Sequence, residues 1–116
     1  LGYDGRGMVH ISDLTVDETV SMGGDLNFTF TLECHAEDPQ NVMVDYVIYH
    51  QRASGQLTPK VFKLSKRTLA PGESLRISRR HSFKPVTTRR YYPGEHAIAV
   101  QVNGVLSDRR SFTLQA

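Results

Sequence analysis

The sequence predicts an all-β domain, a two-sheet antiparallel sandwich of about seven strands, and three observations carry that expectation. Leu26, Phe28, Phe30, Leu32 and Cys34 alternate without a break against Asn27, Thr29, Thr31 and Glu33, the period-two signature of a half-buried strand. Glycine, proline and acidic turn clusters punctuate the chain at regular short intervals, as a sandwich requires. No segment sustains an apolar period of 3.6 residues, so helices are not expected.

Taken in order, residues 1–7 read as a glycine-rich linker and residues 8–116 as the folded domain. The linker has neither the basic start nor the apolar stretch of a secretory signal, and a chain opening on Leu1 reads as a piece of a longer protein. Val9 to Val16 forms the first strand, with Val9, Ile11 and Leu14 as its apolar contacts. After the turn at Met22-Gly23-Gly24-Asp25 comes the alternating strand through Cys34. Val42 to His50 is β-branched and aromatic enough for a central strand. Val44, Tyr46 and Ile48 are expected to face inward, because that choice leaves Asp45 outside, against the opposite set of Val47 and Tyr49.

Pro59 to Leu64 reads as an edge strand, since proline cannot donate to a ladder. Leu75, Ile77 and Phe83 share one parity with Arg79 and His81, so the strand is expected to leave the core before Phe83 or to carry a bulge. His96, Ile98, Val100 and Val102 then alternate into Asn103-Gly104, a tight hairpin, and Val105 to Leu114 returns. With no tryptophan and a single cysteine, the class is an immunoglobulin-like sandwich of the fibronectin-III kind; a small closed barrel is the alternative.

The net charge of +2 conceals a division along the chain. Residues 1–45 hold nine carboxylates against Arg6 alone, a net charge of −8, whereas residues 46–94 hold eleven bases against Glu73 alone, +10. Such polarity suits a polyanion or an acidic neighbouring domain. The richest part is RRHSFKPVTTRRYYPGEH, from Arg79 to His96. There Arg80, Lys84, Arg89 and Arg90 can neutralise phosphates, Thr87 and Thr88 can donate hydroxyl hydrogen bonds, and Tyr91 or Tyr92 can stack. Lys60 and Lys63 extend this footprint if their strand lies beside the loop. The plain structural reading is that these cations solubilise a sheet edge. One tyrosine of the Tyr91-Tyr92 pair sits where sandwich domains place a corner tyrosine, and His96 reads as a satisfied core histidine.

Catalysis, cofactors and metals find little support. Cys34 falls on the buried parity, Ser82 and His81 are strand neighbours that point to opposite faces, and the five histidines are scattered singly. No cofactor and no metal site are expected, and Asn27-Phe28-Thr29 is a chance glycosylation pattern on a strand. No run approaches the ~18 apolar residues of a membrane helix. The lone cysteine favours the reducing cytoplasm.

At YVIYH, TPKVFKL, LAPGESL and RRHSFKPVTTRRYYPGEHAIAVQVNG the chain resembles one particular module. This is the C-terminal immunoglobulin-like domain of bacterial HEAT-repeat proteins of the DNA alkylation repair family, the alkyl-base DNA glycosylases. The resemblance covers nearly everything after the linker. It implies an accessory, non-catalytic domain whose catalytic partner is an upstream HEAT-repeat domain; the cationic segment makes the DNA backbone the expected partner, and the lysines on the edge strand favour a monomer. The alternative is a module that docks on protein, within its own chain or outside it, and never meets DNA.

Overall fold

The computed structural model describes residues 8–85 and 91–116; the expected linker at 1–7 lies outside them. Nine strands are present among the described residues: β1 (Val9–Val16), β2 (Thr19–Ser21), β3 (Asp25–Cys34), β4 (Gln40–Gln51), β5 (Leu57–Leu69), β6 (Ser74–Ser82), β7 (Gly94–Val102), β8 (Val105–Leu106) and β9 (Arg110–Gln115). One sheet has the order β1-β3-β6 and the other β2-β9-β7-β4-β5, with β8 on β7. Beyond the expected seven, β2 is three residues long, too short to show a period, and the single strand expected from Val105 to Leu114 is instead two, β8 and β9, interrupted at residues 107–109. Among the described residues the pairings are antiparallel except β2 with β9, which is parallel.

The core between the sheets is what the alternation promised. Leu26, Phe28, Phe30, Leu32 and Cys34 from β3 meet Val44 and Ile48 from β4 and Ile98, Val100 and Val102 from β7, with Tyr46 packed against them. The hairpin after β7 closes at Asn103 (φ 48°) and Gly104 (φ 83°), the two consecutive positive dihedrals of a tight two-residue turn.

Two further expectations need correction. The strand expected at Pro59 to Leu64 runs from Leu57 to Leu69, because it pairs with all twelve residues of β4 through a bulge at Val44/Asp45; its edge position stands. The strand ending at Phe83 neither leaves the core nor bulges. Its register with β3 is continuous from Leu32↔Leu75 to Leu26↔His81, His81 is buried and Phe83 is fully so. Arg79 is tolerated between them because β6 is an edge strand, so its guanidinium turns out to solvent, donating to the Ser78 carbonyl at 2.9 Å. Val44, Tyr46 and Ile48 face inward as expected, and Val47 and Tyr49 are buried too, on the opposite face. On the outer face of the larger sheet they pack with Ala97, Ala99 and Leu57, and the Arg109 guanidinium lies 3.8 Å above the Tyr49 ring.

Candidate nucleic-acid interface

The charge polarity of the sequence becomes a feature in space through topology. β5 ends the larger sheet and β6 ends the smaller one, and both flank the same side of the sandwich. Phe62 of β5 meets His81 of β6 with ring centroids 4.7 Å apart, and the Tyr46 hydroxyl is 2.9 Å from His81 Nδ1. Burial raises the Tyr46 phenol above its ordinary pKa, so the hydroxyl keeps its proton and can donate to the imidazole. Lys60, Lys63, Lys66 and Arg67 lie on β5 and Arg76, Arg79 and Arg80 on β6, and neither strand contains a carboxylate.

Arg80 is on the outer face of its sheet with a side chain 76% exposed; Asp25 Oδ2 lies 4.0 Å away, a solvent-screened pair. Arg79 and Arg80 border a shallow depression of about 400 Å³ lined also by Asn27, Thr29 and Ser78. Lys84 is exposed just beyond β6, its amide donating to Ser82 Oγ at 3.1 Å. Lys60 and Lys63 do not act together. Lys60 shares the face of Phe62 and sits 5.7 Å from its ring centroid, on the side toward β6, whereas Lys63 is of opposite parity and leaves from the outer face of the larger sheet. Thr87, Thr88, Arg89 and Arg90 lie outside the described residues.

Tyr91 and Tyr92 play different parts. Tyr91 is packed against the core, stacked on His50 at 5.6 Å and edge-on to Phe83 at 5.2 Å. The corner is held by an imidazole: His96 Nε2 donates to the Tyr92 carbonyl at 2.8 Å while Nδ1 accepts the Gln51 amide at 3.2 Å. These partners call for the neutral Nε2–H tautomer. Burial pushes the His96 pKa down, and the bond to Tyr92 opposes that only in part. The histidine expected to be satisfied is therefore the tie between β4 and the segment that opens β7. Tyr92 borders a second cleft, of about 510 Å³, with the β4–β5 turn.

Sequence reasoning left Lys66, Arg67, Arg76 and Arg79 outside the site. Their signal was the absence of carboxylates on either side of Glu73, and only the adjacency of two sheet edges turns it into a surface. Among the described residues no group of three His, Cys, Asp or Glu side chains is arranged to hold a metal, and no helix is long and apolar enough to cross a membrane.

Residues 10–116 match the family model of the "Uncharacterised protein YhaZ, C-terminal Ig-like domain". The uncharacterized protein YhaZ of Bacillus subtilis is 33% identical over 112 residues, which cover 96% of this chain and 31% of that protein. Among solved structures, the Pseudomonas fluorescens alkylpurine DNA glycosylase AlkC, bound to DNA containing an abasic site analog, superposes with a TM-score of 0.89 at 37% identity, over 94% of this chain and 31% of the other. A Listeria innocua β-glucosidase in complex with glucose reaches a TM-score of 0.77 at 12% identity, over 93% of this chain and 16% of the enzyme, a likeness of fold alone. The chain spans about a third of the length of the first two of these relatives. With a match over nearly its whole length, a sandwich of the expected architecture and an identity above a third to a domain of AlkC, the chain belongs to the family of C-terminal immunoglobulin-like domains of YhaZ-type proteins.

Proposed function

We propose that this domain is the non-catalytic, DNA-contacting accessory of a DNA alkylation repair protein, gripping the phosphate backbone largely without regard to sequence. The observation that carries this reading is that the two edge strands that meet at Phe62 and His81 hold seven cations and no carboxylate. The 37% identity to part of a glycosylase bound to DNA gives it a context. Arg79, Arg80, Lys84 and Lys60 make the central footprint, Arg89 and Arg90 continue it, and Thr87, Thr88 and Tyr92 add hydrogen bonds and stacking. Chemistry on the base belongs to the upstream HEAT-repeat domain, in the cytoplasm where the chromosome lies, and the domain itself acts as a monomer.

The test is fluorescence anisotropy of a labelled short duplex at low and physiological salt. Contact with ~4 phosphates gives log K against log salt a slope of about −3.6. The Arg79→Ala/Arg80→Ala/Lys84→Ala and Arg89→Ala/Arg90→Ala variants each weaken binding and flatten the slope. Absence of binding at low salt sinks the reading. It would favour docking on protein, for which Val61 (54% exposed) and Leu106 (50%), bordering the apolar outer face of the larger sheet, provide a surface.

A further inference from the structure

The cleft beside Tyr92 has a construction of its own. Its walls are His50 and Gln51 at the end of β4, Arg52, Ser54 and Gln56 in the β4–β5 turn, and Tyr92 ahead of β7. At about 510 Å³ it has the size of small-molecule sites, about 300–1,000 Å³. Among the described residues no carboxylate lines it.

The polar groups are placed by bonds away from the cleft. The Arg52 amide donates to the Gln56 carbonyl at 2.8 Å, and the Arg52 carbonyl accepts from Gly55 at 2.9 Å, which fixes the turn. Gln51 is held by its amide bond to His96. Its carboxamide lies against Gly94 (φ 133°), where a Cβ would collide with it, so the space for this side chain depends on the glycine. The same imidazole holds the Tyr92 carbonyl. One histidine thus sets the spacing between the tyrosine and the glutamine on opposite walls.

A phenol ring, two carboxamides and a guanidinium, with no negative charge, match a planar heterocycle carrying a phosphate. We propose that this cleft receives one unpaired nucleotide, its base against Tyr92, its polar edge toward Gln51 and Gln56, and its phosphate toward Arg52. A paired base is already stacked on both sides and cannot offer its face to a tyrosine, so the cleft selects for an extrahelical or single-stranded position. His50 links it to the cationic edges, since Tyr91 stacks on His50 and meets Phe83 next to Lys84. This inference rests on the reading that the domain binds DNA.

The experiment compares two labelled duplexes by anisotropy at one salt concentration, one fully paired and one identical but for a single bulged thymidine. The expected result is a preference of about tenfold for the bulged probe, within the range one stacked base contributes. Arg52→Ala/Gln56→Ala, on the exposed turn, abolishes the preference and leaves affinity for the paired duplex unchanged, whereas Tyr92→Ala abolishes the preference and also weakens the paired duplex. Arg79→Ala/Arg80→Ala/Lys84→Ala weakens both probes alike. Should Tyr92→Ala fail to fold, the turn variant carries the test alone, its fold checked by circular dichroism. Equal affinity of the native chain for both probes, or a preference that survives in the turn variant, overturns the inference and leaves the DNA-binding reading standing. Binding to neither probe overturns both.

Discussion

Truncation of Phe83 to alanine tests the continuity of β6 into the core. The ring is 0% exposed, and five other rings surround it: His81 at 5.1 Å between centroids, Tyr91 at 5.2 Å, Phe112 at 5.7 Å, His96 at 6.1 Å and His50 at 6.2 Å. Deleting a buried phenylalanine ring costs about 3–5 kcal/mol in lost transfer energy and residual cavity. Neighbours drawn from four different strands and the segment before β7 cannot collapse together into the void, which places the loss in the upper half of that range. Against a total stability of about 5–15 kcal/mol this is a severe but measurable change. Urea titration followed by circular dichroism should show the midpoint falling by roughly 2 M with the slope unchanged, for a slope of about 2 kcal/mol/M. Phe83→Leu, which keeps most of the volume, should lose less than half as much. A loss below about 1.5 kcal/mol for Phe83→Ala would refute the reasoning, because a strand that had left the core at Arg79 would carry its phenylalanine on the surface.

His96 should make the domain acid-sensitive. Its folded pKa is depressed by burial, so below the ordinary value of about 6.5 the unfolded chain binds the proton more readily. The stability that comes from keeping this imidazole neutral is complete above that pH and is lost as pH falls toward the folded value. Thermal melts at about pH 7.5 and 5.5 should differ for the native chain and differ less for His96→Leu, whose neutral-pH stability should be lower by about 1–3 kcal/mol for the two lost hydrogen bonds. Gly94→Ala should lose about 1–3 kcal/mol in chemical denaturation, from the positive φ and the collision with Gln51. Cys34, 2% exposed, should react with a thiol reagent only as the domain opens, so labelling in urea should track the unfolding transition; rapid labelling of the native chain would contradict its burial.

The layers of the fold were legible because β3 and β7 alternate in the period that a strand with one buried face imposes. Arg79 obscured β6, since a charge at a core parity reads as the end of a strand unless the strand is known to lie at an edge. Edge position is a property of pairing order, and pairing order is not written in any one segment. For the same reason the run of cations was visible as composition, while the division of Lys60 from Lys63 onto opposite faces of β5 had to await topology. The cleft at Tyr92 was hidden more deeply. Its parts come from residues 50–56 and 92, and the signal that joins them is one imidazole bonded to Gln51 on one side and Tyr92 on the other.

The parallel pairing of β2 with β9 has a mechanical consequence. β2 runs alongside β9, and the pair is continued by the Met22 amide donating to the Gln115 carbonyl at 2.7 Å and the Thr113 amide to the Glu18 carbonyl at 2.9 Å. Tension between the segment entering β2 and the segment leaving β9 pulls these parallel strands in opposite directions along their length. The bonds between them are then loaded simultaneously in shear, not opened one at a time like a zip. β1, whose register with β3 breaks between Ser12 and Thr15, would peel first and act as a compliant spacer ahead of this lock. A domain hauled through one end while its partner holds a stiff polymer would yield a few residues of slack and then stop.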